Sequence, residues 1–278
     1  IPAPYWVSYP QMVLLAGAKP VFVEATIEQD FKITPAQLEA AITERTRALI
    51  LCSPSNPTGS VYSATELAAL AEVLRRHEQV TVISDEIYEH INYVGAHASI
   101  AALPDMKERT VVINGVSKAY AMTGWRIGFS AAPLALAKAM NKLQGQYTSG
   151  PCSVSQMAAV AAFSGPQECV EEMRQAFLRR KNLIVDLTRQ IPGLEVNDPH
   201  GAFYLFPKCS SYFGKTEGKH VINSSSDLAL YLLEEGHVAT VGGDAFGSPE
   251  CFRMSYATSD ENIVEAIRRI KEALSRLK

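Results

Sequence analysis

Three short runs constrain this fold more than anything else in the sequence: Ala48-Leu49-Ile50-Leu51, Val80-Thr81-Val82-Ile83 and Val111-Val112-Ile113-Asn114. Each has the length of one strand, and the first is apolar throughout, as a strand buried on both faces should be. Between the first two lies Ser63-Ala64-Thr65-Glu66, a capping box that opens a helix running to about His77. Strand, capped helix, strand, linker, strand is the alternation of βαβ units, so the expected class is α/β with a mainly parallel central sheet. In such a sheet chemistry gathers where loops leave the carboxyl ends of the strands.

The loop after the third run carries Ser117, Lys118, Gly124 and Arg126, with Gly115 breaking the strand. A lysine near a buried strand end loses solvation, which lowers its pKa and favours the neutral amine that forms imines with carbonyls. Arg126 offers a planar fork suited to phosphate, and Ser117 adds a hydroxyl. An imine-forming amine beside a phosphate clamp points to pyridoxal 5'-phosphate, which is an aldehyde and a phosphate in one molecule. The plain alternative is a surface lysine with an arginine pairing a helix carboxylate.

The other strand ends supply matching groups. Residues 52–59 read Cys-Ser-Pro-Ser-Asn-Pro-Thr-Gly, a loop stiffened by two prolines that presents Asn56. Ser84-Asp85-Glu86-Ile87-Tyr88-Glu89 follows the second run. A carboxylate there is costly unless paired, so Asp85 either caps a short helix or faces a protonated ring nitrogen, with Tyr88 presenting its hydroxyl to the same ligand. Three strand ends would thus bring Asn56, Asp85 with Tyr88, and Lys118 to one edge. Near the start, Pro4, Tyr5, Trp6 and Tyr9 form an aromatic loop whose rings either pack beneath it or stack on a cofactor.

Beyond these loops the pattern is coarser. Residues 11–16 read as a short helix ending at Gly17, and Thr34-Pro35-Ala36-Gln37 as another helix start. A helix is expected over 133–147, then a buried small-residue helix over 153–163. A long amphipathic helix over 168–191 would bridge into a second domain. Residues 201–206 read as a strand, 210–226 as a mobile polar loop or insertion, and 227–235 as a helix capped by Gly236. After a turn-rich stretch over 242–247, a strand over 251–256 carries Arg253, either on a solvent face or holding a substrate carboxylate. The last helix starts at Thr258-Ser259-Asp260-Glu261 and runs to about Leu277.

Composition sets limits. With 278 residues, 47% hydrophobic and a net charge of −3, the chain suits a large core but no nucleic-acid or anionic-membrane surface. No apolar run approaches membrane-spanning length, and the first residues lack the features of a signal peptide. Five scattered cysteines without C-x-x-C spacing argue against a metal site or disulfide framework and fit a reducing cytoplasm. The chain begins without Met, and residues 21–24 read as a strand with nothing before it to pair with, so an N-terminal part is expected to be absent.

Taken in order, PYWVSYP, SPSNPTG, SDEIYE, NGVSKAYAMTGWRIG, GAFYLF, GDAFG and RMSYATS resemble the class I aminotransferases of the aspartate aminotransferase type along nearly the whole chain. The likeness is greatest to the bacterial and plastid aspartate/prephenate group, to which residues 211–214 and Asn223-Ser224 also correspond. The resemblance implies a three-layer sandwich, the pyridoxal-phosphate-dependent transferase fold type I. It implies a large cofactor domain over 1–165, incomplete at its N-terminus, a bridging helix over 166–191 and a small α+β domain over 192–278. It implies a homodimer with sites at the interface, and amino-acid and 2-oxo-acid substrates. Carried over by motif, Lys118 would hold the cofactor covalently and shuttle protons, and Asp85 would pair the pyridine nitrogen. Tyr88 and Asn56 would bond the phenolic oxygen, Trp6 would stack on the ring, and Arg126 with Ser117 would hold the phosphate. Arg253, with Asn56 and Trp6, would meet the substrate. A glycine-containing phosphate-binding segment and an aromatic residue donated by the neighbouring subunit have no counterpart here. Gly242 stands where the family usually has proline, which is expected to loosen its loop. The reaction implied is ping-pong transamination between an aspartate- or glutamate-type amino acid and a 2-oxo acid. Prephenate, aromatic or alanine transamination, β-lyase chemistry and a non-catalytic regulator stand as alternatives.

Overall fold

A computed structural model describes all 278 residues. In chain order the strands are β1 (Pro2–Ala3), β2 (Val23–Glu24), β3 (Ala48–Cys52), β4 (Thr81–Asp85), β5 (Thr110–Gly115), β6 (Gly128–Ala131), β7 (Tyr204–Leu205), β8 (Thr216–Glu217), β9 (His220–Val221), β10 (Val241–Gly242) and β11 (Phe252–Ser255). The helices are α1 (Tyr9–Leu15), α2 (Pro35–Ala41), α3 (Ala64–Arg75), α4 (Leu134–Tyr147), α5 (Ser153–Ser164), α6 (Glu168–Thr188), α7 (Ser225–Gly236) and α8 (Asp260–Arg276). No helix is long and apolar enough to cross a membrane. The chain forms two compact units, interleaved in sequence rather than consecutive. One comprises residues 34–54 and 61–175, the other 1–33, 55–60 and 176–278.

The first unit is built on the sheet β3-β4-β5-β6. The three expected strands pair in parallel, with Ile50 opposite Ile83 and Ile83 opposite Val111. The fourth strand, β6, is antiparallel to β5 and was not legible in the sequence. Gly115 does not break β5 but ends it, opposite Gly128. A Cβ on Gly115 would lie 2.9 Å from the Gly128 Cα, so glycine here permits close approach of two backbones. In α3 the Ser63 hydroxyl accepts from the Glu66 N–H, and the Glu66 carboxylate accepts from the Ser63 N–H. Leu67, Leu70, Ala71 and Leu74 bury the apolar side of α3 at helical spacing. Its C-terminal end is tied by Arg109, whose guanidinium donates to the carbonyl of Leu74 (2.6 Å) and, beyond the helix, to those of His77 and Val80.

One expectation for this unit fails. Helix α5 forms over the expected residues, but Val154, Met157, Val160 and Phe163 are exposed, Met157 by 66%. Small residues suit close packing, but the larger apolar side chains interspersed with them stay uncovered.

The second unit holds the antiparallel sheet β10-β11-β7, with α7 and α8 contributing to its core. Ile263, Ile267, Ile270 and Leu274 form the buried stripe of α8, whose N-cap Ser259 accepts from the Asn262 N–H. Four readings need correction here. Strand β2 does have an earlier partner, because β1 pairs with it in parallel. The polar stretch 210–226 contains the hairpin β8–β9, whose register sets Thr216 opposite Val221. The expected strand over 201–206 shortens to β7. Gly236 is the last residue of α7, and the left-handed position after it belongs to His237 at φ 55°. Helix α6 gives its residues up to Gln175 to the first unit and those from Ala176 onward to the second.

Candidate active site

The parallel register sets the strand ends level: Cys52 lies opposite Asp85, and Asp85 opposite Ile113. Asp85 is the last residue of β4, and its carboxylate Oδ1 accepts from the Ile87 N–H at 3.2 Å, which tightens the turn that follows. That turn delivers Tyr88, whose side chain is buried. Lys118 lies in the turn after β5 and is half-buried. Its Nζ sits 5.7 Å from the centroid of the Tyr88 ring, so the structure brings these two sequence-selected residues together. Ser117 precedes it, also half-buried. Arg126 is exposed, takes the left-handed conformation at φ 51°, and donates from Nη1 to the Thr123 carbonyl at 2.7 Å. Nearby, the Glu89 carboxylate lies 3.0 Å from His90 Nε2 and holds that imidazole's proton to a higher pH than usual.

In the other unit Asn56 is buried, and its Oδ1 accepts from Arg253 Nη1 at 3.0 Å. Arg253 therefore does not take the plain solvent-facing role that strand alternation allowed. Its guanidinium carbon sits 4.6 Å from the Tyr204 ring centroid and 4.8 Å from that of Phe246. Two aromatic rings thus hold the planar cation, and the sequence reading assigned neither a role. The signal was present in GAFYLF and GDAFG, but nothing in their spacing says that both rings meet one arginine. The loop around Asn56 is clamped through Gly59, whose carbonyl accepts from the His200 and Gly201 N–H groups at 2.9 and 2.8 Å. Trp6 is half-buried, with its ring edge-on to Tyr9 at 5.5 Å.

The model of the family described as aminotransferase class I and II matches residues 1–270. The chain belongs to the class I and II aminotransferases. It is 52% identical over 274 residues to the aspartate/prephenate aminotransferase of Cereibacter sphaeroides, covering 98% of this chain and 68% of that protein. It is 53% identical over 272 residues to the aspartate aminotransferase of Geobacillus stearothermophilus, covering 97% of this chain and 68% of the relative. Against the bifunctional Petunia hybrida enzyme, named as aspartate and glutamate/aspartate-prephenate aminotransferase, identity is 50% over 283 residues, and the chain spans 59% of that protein's length. The crystal structure of the Rhizobium meliloti aspartate aminotransferase superposes with a TM-score of 0.95 at 47% identity, covering 100% of this chain and 70% of that one. The architecture is accordingly that of the fold type I transferases, and the enzyme is an aminotransferase whose family uses pyridoxal phosphate.

The first unit offers the donor types that cofactor calls for: an amine beside an aromatic ring, a strand-end carboxylate, a hydroxyl at Ser117 and a guanidinium at Arg126, whose Nη1 donates to its own chain. Gly242, which the resemblance sets where a proline is usual, is closely packed. It is buried, pairs with Phe252, and a Cβ there would come within 2.7–2.9 Å of Ser226. Ser225 and Ser226 both donate to the Asp244 carboxylate, at 3.0 and 2.7 Å.

Proposed function

We propose that this chain transaminates dicarboxylic amino acids, aspartate with 2-oxoglutarate, and takes prephenate as a further acceptor. The observation that carries this reading is Lys118 Nζ, set over the Tyr88 ring at 5.7 Å in a turn whose strand pairs with that of Asp85. The names of the relatives point to the substrates.

Pyridoxal phosphate, when bound, supplies an aldehyde carbon for an amine and a ring that draws electron density from the amino acid's Cα. Lys118 Nζ would be the group that holds the aldehyde. The Lys118 amine would also serve the substrate Cα proton as a placed general base and acid. Asp85 would pair the ring nitrogen and favour its protonated form, because an ionised carboxylate stabilises an adjacent cation. Tyr88 and Asn56 would hold the phenolic oxygen, and Trp6 would offer its ring to the pyridine. Ser117 and Arg126 hold the phosphate. Arg253 takes the substrate α-carboxylate in its fork, with Asn56 and the two flanking rings fixing its plane. A second 2-oxo acid reverses the sequence, giving ping-pong kinetics. We further propose a homodimer with sites at the interface, in a cytoplasm that keeps all five cysteines as thiols.

The test is the absorbance of the cofactor-loaded protein before and after adding aspartate, glutamate or arogenate, in wild type and Lys118→Ala. Wild type is expected to show an imine band that the donors bleach, and the variant to show neither band nor turnover. Full turnover in Lys118→Ala refutes the reading. A screen of 2-oxo acids that found phenylpyruvate or pyruvate favoured over 2-oxoglutarate would replace the dicarboxylic assignment.

A further inference from the structure

Behind Asp85 lies a cluster of polar side chains to which the reaction as derived gives no task. Glu86 is buried, next in sequence to the carboxylate assigned to the ring nitrogen. Its Oε1 accepts from the hydroxyls of Ser84 (2.9 Å) and Ser99 (2.6 Å), and its Oε2 lies 2.8 Å from His97 Nε2. Three donors on two oxygens are what an acceptor-only carboxylate calls for. The His97 Nδ1 is buried without a partner, so the ring is held to Glu86 through Nε2. Glu89 brings a third ligating group within 4.8 Å of these atoms. Its carboxylate lies 3.0 Å from His90 Nε2, while the Glu86 oxygens bond Ser84, Ser99 and His97.

The backbone gives this cluster its purpose. The Ser53 N–H donates to the Asp85 carbonyl at 3.1 Å, and the Glu86 N–H donates to the Ile113 carbonyl at 2.9 Å. The peptide that aims the Asp85 side chain is therefore tied to the strands on both sides. Beyond it the chain leaves the sheet, and the Glu86 carbonyl accepts from the Glu89 N–H at 2.9 Å to start the turn bearing Tyr88. The Glu86 side chain anchors that departure to a segment 11 to 13 residues further on. The segment is itself fixed, since the Ser99 hydroxyl accepts from the Ala101 N–H and Ile100 is buried. A burial this costly for a carboxylate holds only if its partners are complete.

We propose that Glu86, His97 and Ser99 are positioning residues: a buried brace that fixes the direction of Asp85 and the turn carrying Tyr88. This rests on Asp85 being the partner of the cofactor's ring nitrogen. Removing the brace leaves both functional side chains in place but frees the turn that aims them.

The experiment compares Glu86→Gln, His97→Leu and His97→Gln with wild type. Amide hydrogen exchange of the 87–91 segment is followed without added cofactor, alongside cofactor dissociation and the steady-state split between kcat and KM. Glu86→Gln and His97→Leu are expected to speed exchange in that segment, weaken cofactor retention and lower kcat, each about tenfold or more, as removal of supporting hydrogen bonds around a functional group does. KM for aspartate should stay within about twofold, because Arg253 is untouched. His97→Gln keeps an N–H donor and should restore wild-type behaviour. Exchange, cofactor retention and kcat within about twofold of wild type in both disrupting variants would overturn the brace, as would exchange raised evenly over the whole chain. If those variants do not fold, Ser99→Ala removes one donor without exposing a charge and is judged by the same criteria. A wild-type protein that never retains the cofactor would sink the proposed function, while the exchange comparison would still decide the brace.

Discussion

Arg253 illustrates how much a residue's surroundings add to its type. A guanidinium on a strand could serve a solvent face as readily as a site. Here Asn56 Oδ1 takes one donor, and the rings of Tyr204 and Phe246 bracket the plane. Cation–aromatic contacts are worth ~0.5–2 kcal/mol depending on desolvation. Phe246→Leu keeps the apolar volume and loses the ring face. We expect it to raise KM for aspartate roughly three- to tenfold with kcat little changed, since a carboxylate clamp of the kind proposed would act in ground and transition states alike. A purely kcat effect, read from steady-state kinetics, would contradict that role. Arg126 teaches the opposite lesson. The motif spacing singles it out, yet it sits exposed in a left-handed turn with one donor spent on its own chain.

At the scale of elements, caps were the most legible feature because they are local. Thr34 with Gln37 and Ser63 with Glu66 satisfy each other across three residues, and both boxes form as read. Losing such a cap costs ~0.5–2 kcal/mol. Ser63→Ala should therefore lower the thermal midpoint by a few degrees, measured by circular dichroism, without altering kcat. An unchanged midpoint would mean the box contributes nothing to stability. Strand β6 and the hairpin β8–β9 were invisible for the opposite reason. They are two to four residues long, and their pairing is specified by partners elsewhere in the chain. Gly242 shows the same limit, because its tightness comes from Ser226, sixteen positions earlier. The His237 cap was missed because glycine is the usual left-handed residue, and a neighbouring glycine drew the assignment.

For the whole molecule, the uncovered apolar surface of the first unit is the largest departure from expectation. Met157, Val160 and Phe163 on α5, Leu143 and Tyr147 on α4 and Phe129 on β6 are all exposed. Full burial of such a side chain is worth ~1.5–3 kcal/mol, so a surface of this kind supports association. Light scattering after size exclusion is expected to give a dimer, and Met157→Glu with Val160→Asp to shift it toward monomer. A wild-type monomer would end the dimer proposal. The sequence by itself determined the α/β class, the parallel core strands, the helix starts and the motif residues around Lys118, because strand patterning, caps and turn chemistry act over a few neighbouring positions. Only the tertiary structure decided which apolar faces stay open, which rings hold Arg253 and which side chains stand behind Asp85. Those are contacts between residues far apart in the chain, and their energies depend on a distance that no local pattern encodes.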